Sequence, residues 1–123
     1  MKNRIFAIMF LVFFAYGSLT AADPWTKTDT VWECAAETLL AIDWAQTRTI
    51  AKNPDQFFEH NRILGRHPSL ASVNRYQFGW LIFHPAVSWV LPEPYRRSFQ
   101  TMTIMVEIDM AEQNYQMGIR FSF

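Results

Sequence analysis

A surplus of charge of either sign is the first thing this sequence lacks. Its eleven basic and eleven acidic residues cancel, and the arginines are scattered, so nothing in it is built to neutralise a phosphate backbone. Nucleic acid is therefore excluded as a partner. Cysteine is scarce as well: Cys34 alone cannot close a disulfide within the chain, and no Cys-x-x-Cys pair exists. Four glycines in 123 residues leave no collagen-like repeat, no flexible linker and no glycine-rich phosphate loop. What is present is a chain that is half apolar and 16% aromatic, with five tryptophans and eleven phenylalanines. That composition suits one small folded domain.

The first residues read as an address. Lys2 and Arg4 precede an apolar run from Ile5 to Tyr16, followed by Gly17, Ser18 and Thr20-Ala21-Ala22, the charged, apolar and small-residue parts of a secretory signal. The run is too short to span a bilayer, which takes roughly 20 residues. Cleavage after Ala22 or Ala21 is expected, leaving a single helical domain over residues 23–123. The chain is then exported to the cell envelope, to the inner membrane or the periplasm. Cys34 lies too far beyond the cut to carry a lipid, and its apolar helical neighbourhood implies a buried, inert thiol.

The remainder predicts an all-α bundle of three main helices with a structured connector and a short tail. Asp29 or Thr28 can cap a first helix from about Thr30 to Ala51. Its apolar positions Val31, Cys34, Ala35, Leu39, Ile42 and Ala45 share one arc, and Glu33, Glu37, Asp43 and Thr47 share the other. Asn53-Pro54 ends it, and Pro54, Asn61, Gly65 and Pro68 make the next stretch a connector. Ser69 caps a second helix that runs to Leu91, with Pro85 inside it, a residue that frees the carbonyl of Leu81 and should bend the helix at His84. A third helix runs from near Pro94 to about Met117, with Gly118 as its stop. Gln100, Thr103, Glu107 and Asn114 form a polar stripe on it, while Met102, Met105, Val106, Met110 and Met117 line the opposite side as core filler. The tail Ile119 to Phe123 alternates like the last strand of an outer-membrane barrel, but one short segment cannot make the eight or so strands a barrel needs. A docked strand or loose tail is expected.

Hydropathy pulls in two directions. The mean hydropathy is −0.03, and Glu107, Asp109 and Glu112 interrupt the third helix, where carboxylates at bilayer depth are costly. Yet the second helix is strongly apolar, and Arg48, Lys52, Arg62, Arg66 and Arg75 gather around one connector, as the positive-inside tendency favours. The polar stripes mix amide, hydroxyl and carboxyl groups, as a seam between membrane helices does. Membrane association is expected on balance. Trp25, Trp32, Trp80, Trp89 and Tyr95 can anchor a protein partner, a second copy of the chain or the lipid headgroup layer.

Asp43-Trp44-Ala45-Gln46-Thr47, followed by Glu59-His60-Asn61-Arg62-Ile63-Leu64-Gly65-Arg66-His67-Pro68, carries a resemblance. The pattern Asp-x-x-Gln-Thr, then Glu-x-Asn-x-x-Leu-Gly-x-x-Pro, resembles one in small uncharacterised bacterial envelope and membrane proteins. There an Asp and a Thr end one hydrophobic helix, and a Glu-x-Asn motif opens the connector. In those proteins Pro often follows the Asn, where this chain has Arg62. The resemblance covers roughly a quarter of the chain; it implies a membrane helical architecture and no reaction.

Asp43 and Thr47 lie one helical turn apart, so with Gln46, Glu59 and Asn61 they form a candidate structural clamp. In it Asn61 bridges the helix end and Glu59 takes a backbone amide or an arginine. His84, Glu107 and Asn114 form a candidate polar seam. No catalytic signature is present, neither His-Glu-x-x-His nor Gly-x-Ser-x-Gly, and no cofactor is called for. The expected function is a membrane-associated structural or accessory component of the bacterial envelope. The alternative is a metal-dependent hydrolase or an ion- or proton-handling membrane protein that uses Asp43, Glu59, His60, His84 and Glu107, because carboxylates with imidazoles can hold zinc or manganese.

Overall fold

Three helices account for most of the computed structural model, which describes residues 23–120. The expected signal segment and the last three residues of the tail lie outside the described residues. Helix α1 spans Lys27–Lys52, α2 spans Leu70–Val90 and α3 spans Glu93–Gln116. The all-helical bundle is as the periodicity predicts, and no strand occurs among the described residues.

Each start has a local cause. Thr26, not Asp29 or Thr28, caps α1: its hydroxyl accepts the Asp29 N–H, and the Asp29 carboxylate accepts the Thr26 N–H in return. The helix therefore begins three residues earlier than its apolar pattern suggests. Ser69 caps α2 through the Ser72 N–H, and Pro94 sits in the first turn of α3, where its missing N–H costs nothing. Helix α2 continues through Pro85 to Val90. The connector between α1 and α2 folds on itself, with the Glu59 N–H donating to the Arg66 carbonyl at 2.8 Å. It turns at Gly65, whose φ of +80° is open to glycine at little cost.

Side-chain pairs set the helix directions. Asp43 meets Gln77 and Glu33 meets His84, so α1 and α2 run antiparallel. Asp29 meets Arg96 and Gln46 meets Asn114, so α1 and α3 run parallel. Helix α1 packs along both neighbours, while α2 and α3 share a much smaller contact. Ile119, just past α3, is buried, and the Arg120 carbonyl accepts the Thr49 hydroxyl. The first part of the expected tail is thus docked on α1.

Which faces are buried largely reverses the sequence expectation, although Ala45 of the expected apolar arc is buried. The inward stripe of α1 is Asp29, Glu33, Ala36, Leu40, Asp43, Thr47 and Ile50. Val31 and Cys34, placed on the core side by their polarity, are exposed. Cys34 is therefore not a buried thiol. Met102, Met105 and Val106 on α3 are also exposed, Met102 and Met105 at 66% each, so they are not core filler. Met110 and Met117 are half-buried. The interior holds more buried polar and charged residues than buried apolar ones, with His84, Ser88, Arg96 and Gln100 fully enclosed.

Candidate functional site

The enclosed polar groups stack along α1 as successive rungs. The lowest belongs to Asp29, whose Oδ2 accepts from Arg96 at 2.8 Å and whose Oδ1 accepts from Arg97 at 3.0 Å. Arg96 also donates to the carbonyls of Ser88, Pro24 and Asp23 and lies over the Trp25 ring. Burial alone would raise the Asp29 pKa, but the hydrogen bonds from Thr26 and Arg96 outweigh it, and the carboxyl is held below its usual range.

One turn higher, the His84 Nδ1 lies 2.6 Å from Glu33 Oε1, and its Nε2 lies 2.9 Å from the Thr103 hydroxyl. The Gln100 amide donates to Glu33 Oε2 at 2.8 Å. Phe99 stacks on the imidazole, with ring centroids 4.5 Å apart. Glu37 approaches from the next turn, its Oε1 3.7 Å from the same Nδ1. Burial again opposes ionisation of Glu33, but bonding to His84 and Gln100 prevails and lowers its pKa. Glu37 has no such compensation: burial, with the Glu33 charge added, pushes it up to about 7 despite His84.

The third rung brings together groups that the sequence had singled out. Asp43 accepts from Gln77 Nε2, and the Thr47 hydroxyl sits 3.5 Å from its other oxygen. Burial and the nearby Glu59 raise the Asp43 pKa to about 6. Glu107 is raised to about 8 by burial together with Asp43 and Glu59. Above this rung, the Asn114 amide donates to Gln46 Oε1, and the Gln46 amide donates to the Ala111 carbonyl. Trp44 and Arg48 both donate to Asn74 Oδ1.

Four of the five clamp residues, Asp43, Gln46, Thr47 and Glu59, are buried in the seam. Asn61 does not bridge to the helix end. Its side chain accepts the Ile63 N–H, and its own N–H donates to Glu59 Oε1 at 2.7 Å, because an Asn at a turn serves its own backbone at the least entropic cost. Glu59 does take a backbone amide, as expected, and Glu107 and Asn114 lie on the seam. The set Asp43, Glu59, His84 and Glu107 is not gathered at one point. Among the described residues, the group that brings three ligand atoms within 4.8 Å is Glu33, Glu37 and His84, and His60 is exposed in the connector.

The sequence reading did not single out Gln77 or Arg96, and it took Asp29 as a cap and set Glu33, Glu37 and Gln100 on polar stripes without assigning them to the site. A signal for them existed: positions 29, 33, 36, 40, 43, 47 and 50 of α1 keep an alternating spacing of four and three, as do 96, 100, 103 and 107 of α3, with 114 seven residues further on. Comparison with protein-family models, with curated proteins and with solved structures finds no match to this chain.

Proposed function

We propose that the protein is a membrane-associated structural or accessory component of the bacterial cell envelope, exported by its first segment and held with its apolar flank against lipid. One observation carries the reading: charged and amide groups are inside and large apolar groups are outside. Phe78, Ile82, Trp89 and Val90 on α2 and Met102, Met105, Val106 and Ile108 on α3 are all exposed. From Phe78 to Trp89 the α2 sequence has no charged residue, a stretch of about 17 Å.

In water such a flank would be costly, since each Å² of exposed apolar surface carries roughly 25 cal/mol. Against lipid that penalty disappears, and polar groups that would suffer there satisfy one another inside. Exposed charge flanks the α2 face, at Lys27 and Glu93 on one side and at Lys52, Arg62, Arg66 and Arg75 on the other, while on α3 the exposed Asp109 and Glu112 bound the apolar patch. Among the described residues no helix is long and apolar enough to cross a membrane, so the reading is of a bundle seated on lipid by one flank. The resemblance to small envelope and membrane proteins supports the same assignment.

Fractionation of cells expressing the full chain tests it. The protein should sediment with membranes, resist a high-salt wash and be released by detergent. Recovery in the soluble fraction at physiological salt would overturn the reading.

A further inference from the structure

We propose that Glu33, Glu37 and His84 form a binding site for a divalent transition metal, for which zinc is the best-matched ion. Their ligand atoms already lie within 4.8 Å of one another, and they come from two helices whose packing fixes their positions. Glu33 and Glu37 are one turn apart on α1, so their carboxylates lie on adjacent parts of one face. His84 faces them from α2 and is fully enclosed.

The surroundings are those of a prepared ligand set. The Thr103 hydroxyl, 2.9 Å from His84 Nε2, can accept a proton held there and leave the Nδ1 lone pair to bind the metal once the proton it shares with Glu33 is released. An outer hydrogen bond of this kind accompanies most metal-bound imidazoles. Gln100 does the same for Glu33, holding Oε2 at 2.8 Å and turning Oε1 toward the histidine. Phe99 covers the ring face and fixes its plane.

One further observation points to a cation ligand. Glu37 Oε1 is shut off from solvent and accepts no hydrogen bond, although it faces the other two ligands. A cation among the three ligands would supply positive charge to that oxygen. Zinc bonds of roughly 2.0–2.1 Å in a tetrahedron hold donors about 3.3 Å apart. Opening the 2.6 Å Glu33–His84 contact to that separation takes about 0.7 Å. One imidazole with two carboxylates and no thiolate suits zinc over the softer copper(I). Three protein ligands leave a fourth position open, and the 27% side-chain exposure of Glu37 provides the way in.

Equilibrium dialysis of the full chain in detergent against zinc chloride, with metal content and helicity measured together, tests the site. The expected result is about one tightly held zinc per chain, with binding weakened at least tenfold by Glu37→Gln while helicity is kept. Thr103→Val leaves all three ligands in place and should weaken binding by roughly ten- to a hundredfold. Substitution of cobalt should give a visible absorption that both variants diminish. The exposed His60 and His67 serve as the control, and H60N/H67N should change nothing. Absence of stoichiometric zinc, unchanged binding in both Glu37→Gln and Thr103→Val, or loss of binding in H60N/H67N would each overturn the proposal.

Discussion

Single residues in this molecule act through what they leave behind when removed. Arg96 neutralises Asp29 and binds three backbone carbonyls while fully buried. Arg96→Ala leaves the buried Asp29 carboxylate to Arg97 and the Thr26 cap alone and unpairs three carbonyls, so a loss of about 3 kcal/mol in a denaturant titration is expected. Arg96→Lys should recover little of it, because an ammonium cannot reproduce the planar fork. The acidic groups of the third rung have the opposite logic. Glu107 is raised to about 8 from 4.5, and Asp43 to about 6 from 3.8, in both cases by burial first. The folded chain therefore holds protons that the unfolded chain has released, and stability falls as pH rises from near 4 through 8. Asp29 and Glu33 are lowered, so their contribution is lost only on strong acidification, below their ordinary values. The melting temperature should be higher at about pH 5 than at about pH 8.5, and Glu107→Gln should narrow that difference. An equal fall in the variant would contradict this account.

At the scale of elements, the ends of the helices were legible and the faces were not. Ser69, Asn53-Pro54, Pro92 and Gly118 punctuate the chain by backbone chemistry that does not depend on surroundings. Thr26 was missed because it precedes the apolar pattern, although Thr26-x-x-Asp29 has the spacing of a reciprocal cap. Thr26→Ala should cost about 1 kcal/mol, read as a lower melting temperature with the helix content of the folded state almost unchanged. The connector kept Asn61 for its own turn, a local choice that no helix pattern could reveal.

The molecule as a whole places its polar stripes inward, and that decides what its outer surface is. Phe78 and Ile82 are exposed at 57% and 58% and make no part of the polar seam. The double variant Phe78→Gln, Ile82→Gln should keep its helicity yet move a large share of the protein from the detergent-soluble membrane fraction to the soluble fraction. Unchanged partitioning would show that the α2 face is not what holds the protein on lipid. The zinc site is independent of that outcome, since Glu33, Glu37 and His84 face the interior.

The sequence by itself determined three helices, their order, their ends and their periodicity, because these follow from short-range backbone and capping preferences. It also placed Glu107, Asn114, Asp43 and Thr47 on narrow stripes. Only the tertiary structure decided which stripe faces inward, since a helix with two distinguishable faces buries whichever one finds complementary partners. Here Asp29 meets Arg96, Glu33 meets His84 and Gln46 meets Asn114. Each of those pairings joins residues more than fifty positions apart, and that separation is why no local pattern could announce them.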